Sequence, residues 1–174
     1  MQISSAGLID IIYREGIALE WYYDSENIPT WGIGETISDG INPRHRAASS
    51  VKDVIDSFKI KITKYTKVVD TIKLPFSQTQ YDALSSACYN FGGGNLIRLC
   101  HDRNITEIGQ ALMFYDRPPE VRHRRMQEQQ LYLHGTYTCK DGEVLVFPVN
   151  QYHRPDYHHG KMIDIRPYFD EKIS

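Results

Sequence analysis

Glu15 is the first candidate for acid–base chemistry, because of its place at the end of a predicted helix. Leu8, Ile11 and Ile12 have helical spacing, a serine at the start could cap the helix, and Gly16 would stop it just after Glu15. Positions 8, 11, 12 and 15 share one face, so the carboxyl group continues an apolar stripe. Burial there would raise the pKa of Glu15, as a general acid near neutral pH requires.

Asp24 and Thr30 follow on a predicted β-hairpin. An aromatic run and a second extended run flank a turn at residues 24–27. A carboxylate on a polar turn stays ionised, so Glu15 and Asp24 would act as proton donor and ionised partner. The Thr30 hydroxyl could orient a water between them. Taken singly, however, an acid at a helix end is most often a solvated charge, and an aspartate in a turn most often serves the turn.

The whole string that contains these residues carries more weight than either acid. Glu-Gly, then Tyr-Tyr-Asp, then Thr-Trp-Gly-Ile-Gly resembles the signature of the phage-type lysozymes, glycoside hydrolase family 24. Glu15, Asp24 and Thr30 match its catalytic positions. The segment 74–94 is similar to the large-lobe signature of that family, and the resemblance covers about residues 3–134.

The resemblance implies an α+β, mainly helical fold, with the two lobes of a lysozyme. A catalytic domain would occupy residues 1–134, and we expect a chain that ends near His134 to fold and to cleave soluble glycan. Its parts would be a small hairpin lobe at about 14–49, a linking helix at about 50–73, and a helical lobe at about 74–134 with the N-terminal helix. Residues 135–174 would form an extension, in which the alternation of 136–149 around Lys-Asp-Gly predicts a hairpin.

The activity that the resemblance implies is hydrolysis of the β-1,4 bond between N-acetylmuramic acid and N-acetylglucosamine in bacterial peptidoglycan. Glu15 would protonate the leaving oxygen. Asp24, with Thr30, would hold or activate the attacking water. This chemistry needs no cofactor and no metal. The biological setting would be phage-mediated host lysis or penetration of the wall.

Three further residues are candidates for substrate binding: Asn90, Gly32 and Glu35. Asn90 is explained equally well as the cap of its helix end. Glu35 stands where the resembled family normally has a histidine, so a cation would be needed beside it. The candidates for that cation are Arg44, Arg46 and Arg124.

Two rival functions remain open. One is a lytic transglycosylase, which acts on the same bond with a single acid and leaves an anhydro ring. The other is a catalytically weak wall-binding or virion protein with a lysozyme fold, which Glu35 and the departure from the family after Gly94 would favour. The segment near 122–128 resembles the arginine-rich final helix of the family. Its charged residues Arg122, Arg124, Arg125 and Glu128 are either structural, as the resemblance implies, or part of a solvated helix face.

Composition limits the partners and the compartment. A net charge of only -2 over 174 residues gives no strong field for nucleic acid. The first residues have no secretory pattern and no segment is apolar enough to span a bilayer. We therefore expect a monomer in the host cytoplasm that reaches the periplasmic wall after release through a holin, or one carried in the virion. Three cysteines should be reduced, and the set Cys139, His153, His158 and His159 matches no common zinc spacing.

Overall fold

The computed structural model describes residues 1–169, which form two compact units. The first contains Met1–Ile11 and Ile62–Thr138, and the second contains Ile12–Lys61 and the chain from Cys139 onward. The predicted mainly helical α+β class is confirmed, with six α-helices and a four-stranded sheet among the described residues. The boundary predicted after His134 lies inside the first unit. The chain from Cys139 onward shares a unit with Glu15 and Asp24.

The sheet lies in the second unit and combines the predicted hairpin with the C-terminal chain. Its strands are β1 Ile17–Tyr23, β2 Pro29–Gly32, β3 Glu143–Phe147 and β4 Lys161–Asp164. Their order is β2-β1-β3-β4. β1 pairs antiparallel with β2, which confirms the hairpin, while β3 runs parallel to β1 and antiparallel to β4.

The hairpin predicted over 136–149 is wrong in its pairing. Its second half is the strand β3, but its first half forms no strand, and the partners of β3 are β1 and β4. The physical reason is burial, because Val144 and Phe147 are enclosed among apolar residues of the second unit. An isolated two-stranded ribbon would leave those side chains in water.

The helices begin and end close to where local sequence patterns place them. They are α1 Ser5–Glu15, α2 Val51–Asp70, α3 Gln78–Phe91, α4 Gly93–Cys100, α5 Ile105–Ala111 and α6 Arg122–His134. Two capping boxes begin helices, that of Ser50 with Asp53 at α2 and that of Ser77 with Gln80 at α3. The helix α4 was not predicted. Among the described residues no helix is long and apolar enough to cross a membrane.

A buried ion pair stabilises the first unit. Arg125 and Glu128 on α6 are both 0% exposed, and Arg125 Nη2 lies 3.0 Å from Glu128 Oε2. Ser86 Oγ donates to Glu128 Oε1 at 2.7 Å. The interpretation of these two residues as a solvated helix face is therefore wrong, and their structural role is confirmed.

The cysteines are all free thiols. Cys88 and Cys100 are buried in the apolar core of the first unit, where they pack as small hydrophobic side chains. Burial raises the pKa of Cys88 to about 12 and that of Cys100 to about 11. Both thiols are therefore protonated at neutral pH.

Candidate active site

Glu15 is placed by the end of α1, where the chain turns sharply into β1. Gly16 has φ +72° and its amide donates to the Ile12 carbonyl at 2.8 Å, so the helix stops as predicted. A Cβ at Gly16 would lie only 2.9 Å from Phe147 Cε1, which leaves room for glycine alone. Glu15 itself is half-buried. The apolar stripe therefore encloses Glu15 only in part.

Asp24 holds the hairpin turn with its own side chain. Its Oδ1 accepts hydrogen bonds from the amides of Glu26 and Ile28, both at 2.9 Å. The Asp24 amide in turn donates to the Ile28 carbonyl at 3.0 Å, and Asn27 takes the left-handed φ of 60° that the turn needs. The turn thus fixes the direction of the carboxylate. Oδ2 makes no hydrogen bond within the part of the chain that the structure describes.

Thr30 is tied to Asp24 through the Ile28 peptide. It pairs with Tyr22 across the hairpin and is 3% exposed. Its Oγ1 donates to the Ile28 carbonyl at 3.0 Å, the same carbonyl that accepts from the Asp24 amide. Since the hydroxyl proton is committed to this bond, Oγ1 can meet a water only as an acceptor.

Tyr22 links the two carboxylates electrostatically. Its pKa is raised, first by burial and then by the negative charges of Tyr157, Glu15 and Asp24. The ring packs edge-on against Phe147, with centroids 5.5 Å apart. Both candidate acids therefore act on one buried phenol, which places them within electrostatic range of the same side chain.

Gly32 and Gly34 form the tight turn that follows Thr30. Trp31 and Glu35 exchange backbone hydrogen bonds at 2.8 and 2.9 Å, which requires left-handed φ values of 65° at Gly32 and 69° at Gly34. A Cβ at Gly32 would lie 3.2 Å from Val54 Cγ1. The visible role of Gly32 is thus conformational, because it lets the chain reverse against α2.

Glu35 is a buried carboxyl group with a raised pKa. It is 2% exposed, and its Oε2 accepts from Ser57 Oγ at 3.1 Å. Its Oε1 is buried without a hydrogen bond among the described residues. Burial raises the pKa, while the Ser57 hydrogen bond and the charges of Lys61 and Arg46 act in the opposite direction. The side chain is therefore enclosed in the second unit.

One of the cations that act on Glu35 was predicted from the sequence, and another was not. Arg46 is one of the three proposed, but Arg44 lies over the rings of Trp21 and Tyr23, at 5.9 and 5.7 Å from their centroids. The larger contribution comes from Lys61, which was missed. The available signal was spacing, because Ser57 and Lys61 are four residues apart and share one face of α2.

Lys61 is itself nearly buried. Its Nζ lies 3.1 Å from Asp39 Oδ2 and donates to the Gly34 carbonyl at 2.8 Å. Burial lowers its pKa, against the raising effect of Asp39, Glu35 and Glu15. Lys61 therefore binds the loop that contains Glu35 to α2.

Asn90 belongs to the first unit. Its Oδ1 accepts from Arg125 Nη2 at 2.8 Å, so its side chain is held by the buried ion pair. The second unit brings together Glu15, Asp24 and Thr30 with Gly32 and Glu35. Substrate binding by Asn90, Gly32 and Glu35 stays a prediction.

Comparisons with known proteins cover the part of the chain that contains the candidate site. The family model described as phage lysozyme matches residues 13–127. The endolysin of Salmonella phage P22 is 28% identical over 144 residues, which are 76% of this chain and 99% of that protein. The structure of an endolysin from Escherichia coli O157:H7 phage FAHEc1 is 28% identical with a TM-score of 0.71, covering 80% of this chain and 98% of that chain.

A more distant structure shares the fold alone. The muramidase domain of SpmX from Asticaccaulis excentricus is 24% identical with a TM-score of 0.63, covering 76% of this chain and 97% of that chain. The segment that the family model matches contains Glu15, Asp24 and Thr30, and it ends before β3 begins.

Proposed function

We propose that this protein is an N-acetylmuramidase. The chain belongs to the phage lysozyme family and is a peptidoglycan hydrolase of the glycoside-hydrolase type. It would hydrolyse the β-1,4 bond between N-acetylmuramic acid and N-acetylglucosamine. The observation that supports this proposal is that Glu15, Asp24 and Thr30 belong to one unit, in which Thr30 Oγ1 and the Asp24 amide both donate to the Ile28 carbonyl.

Glu15 is the proton donor in this proposal. Glu15 is half-buried at the end of α1, and in this proposal its carboxyl group meets the glycosidic oxygen. Protonation of that oxygen lets the bond to the anomeric carbon break, with positive charge developing on the sugar ring. The displaced N-acetylglucosamine leaves with the proton as a hydroxyl group.

Asp24 and Thr30 handle the water. Two backbone amides hold Asp24 Oδ1, so Oδ2 is the oxygen that can accept a hydrogen from water or face the charged ring. Thr30 Oγ1 accepts the second hydrogen of the same water, because its own proton points at Ile28. Water then attacks the anomeric carbon and gives its proton to Asp24. A water held in this way supports inversion, for which carboxyl groups are typically about 6.5–9.5 Å apart.

The setting of this reaction is also a proposal. We infer a monomer that is made in the host cytoplasm and reaches the periplasmic wall when a holin opens the membrane, during phage lysis. Carriage in the virion is the alternative. Detection of the chain in purified virions by mass spectrometry would favour carriage, and its absence from them would favour release by lysis.

Mass analysis of the products tests the proposed reaction. Purified peptidoglycan is digested with the full chain, and the released muropeptides are compared with those from the Glu15→Gln variant. We expect fragments with a reducing N-acetylmuramic acid end, absent with the variant. Anhydro ends, which lack one water, would identify a transglycosylase instead. Intact glycan would favour a wall-binding protein of the same fold.

A further inference from the structure

Residues 149–155 form a compact loop, which we call the Asn150 loop, outside the segment that matches the family. Val149 and Pro155 close it with a β-bridge, and the Asn150 amide donates to the Arg154 carbonyl at 2.9 Å. Asn150 Oδ1 accepts from the amides of Tyr152 and Arg154, at 2.9 and 3.1 Å. The loop is therefore held in shape by its own hydrogen bonds.

The Asn150 loop is attached to the last residues of β1. The Tyr23 amide donates to the His153 carbonyl at 2.7 Å. The His153 ring stacks on Trp21, with centroids 3.7 Å apart and planes 14° from parallel. These two contacts bring the next residue of the loop, Arg154, to the turn that follows β1.

Arg154 binds both ends of the turn at residues 24–27, which contains Asp24. Its Nη1 donates to the Asp24 carbonyl at 3.2 Å, and its Nη2 donates to Asn27 Oδ1. The guanidinium lies over the Tyr23 ring, 5.4 Å from the centroid. The planar guanidinium of an arginine can donate to two separate acceptors at once, whereas the ammonium group of a lysine is a compact point charge.

We propose that Arg154 is a positioning residue for Asp24, so that the C-terminal chain is part of the active-site scaffold. The proposal rests on the role given to Asp24 above. Arg154 holds the peptide of Asp24 and the side chain of Asn27, and the turn between them sets the direction of the Asp24 carboxylate. Because catalysis is sensitive to misplacement of about 1 Å, loosening this turn should slow the reaction.

The first test separates catalysis from folding. Arg154 is exposed, so Arg154→Ala should leave the melting temperature and KM on soluble glycan close to those of the parent. Its kcat should fall by roughly 10- to 100-fold. Lys140→Ala is the matched control, because Lys140 is an exposed cation of the same C-terminal chain whose side chain makes no hydrogen bond with the described residues. Its kcat should equal that of the parent.

The second test asks whether Arg154 acts through the turn. Asn27→Gly removes the acceptor and keeps the left-handed φ of 60° available. In a double-mutant cycle, Arg154→Ala should cost much less kcat in the Asn27→Gly protein than in the parent. If Arg154→Ala lowered kcat by the same factor in the Asn27→Gly protein as in the parent, the two residues would act independently, and the proposed action of Arg154 through the turn would be overturned.

The outcomes also separate this inference from the proposed function. If Asp24→Asn is inactive while Arg154→Ala keeps the parent kcat, Arg154 has no positioning role and the proposed function stands. If Asp24→Asn itself keeps full activity, the role of Asp24 fails, and the inference fails with it. A fall in kcat for Arg154→Ala that is matched by an equal loss of folded protein also overturns the inference.

Discussion

A chain that ends at His134 would lack both β3 and β4, and we expect the second unit to unfold without them. Three side chains of the missing segment, Val144, Phe147 and Ile165, are at most 2% exposed. Burial of one such side chain is worth about 1.5–3 kcal/mol, so the three contribute roughly 5–9 kcal/mol before the loss of the strand hydrogen bonds. The free energy of unfolding of a typical domain is only about 5–15 kcal/mol.

Tryptophan fluorescence is the assay that reports on this unit alone. The chain has two tryptophans, and both Trp21 and Trp31 lie in the second unit. The parent should show a cooperative transition in denaturant, and the chain that ends at His134 should show none and have no turnover. A chain that ends at Phe169 is the control, because it keeps all four strands.

The opposite result would refute the reasoning. A shortened chain with the parent's denaturant midpoint and kcat would show that residues 135–174 are a separable extension, as the family resemblance alone led us to expect. The energy assigned to the burial of β3 would then be wrong.

Two further predictions concern buried charges. Burial raises the pKa of Glu35 above its ordinary value of 4.5. Below pH 4.5 the carboxyl group is neutral in both the folded and the unfolded protein, so its titration does not affect stability there. The free energy of unfolding then falls as pH rises through the folded pKa. Glu35→Gln should therefore melt progressively higher than the parent as pH rises from about 4.5 through the folded pKa of Glu35, and a constant difference between the two melting temperatures would contradict this. Glu128→Gln should cost about 3–5 kcal/mol of unfolding free energy, because Arg125 is left buried without its counter-ion. Arg122→Ala removes an exposed ion pair with Asp116 and should cost at most about 1 kcal/mol of unfolding free energy. If denaturant titrations gave equal losses for Glu128→Gln and Arg122→Ala, the distinction between the buried and the exposed ion pair would be refuted.

Local chemistry explains why the elements that hold the candidate site could be predicted from the sequence. Helix caps, the stop at Gly16 and the turn at Asp24 depend on residues a few positions apart, and each appears where expected. The match to a family signature then placed Thr30 beside them. These features need no knowledge of how distant segments pack.

Distant pairing explains what was missed. The second partner of β1 is β3, more than a hundred residues later, and nothing in either strand specifies a parallel pair. The glycines of residues 92–94 disguised α4, because glycine is a poor helix former. Lys61 was overlooked because a lysine on a helix is usually solvated, and only tertiary packing buries it against Asp39.

The most direct test of the account is the turnover of Glu15→Gln on purified peptidoglycan, measured for protein that is shown to be folded. Gln keeps the shape of the side chain but cannot donate an acidic proton to the leaving oxygen. General acid catalysis is worth about 100- to 10,000-fold, so we expect kcat to fall by at least about 100-fold with an unchanged melting temperature. A folded Glu15→Gln protein with the parent's kcat would contradict the assignment of this site.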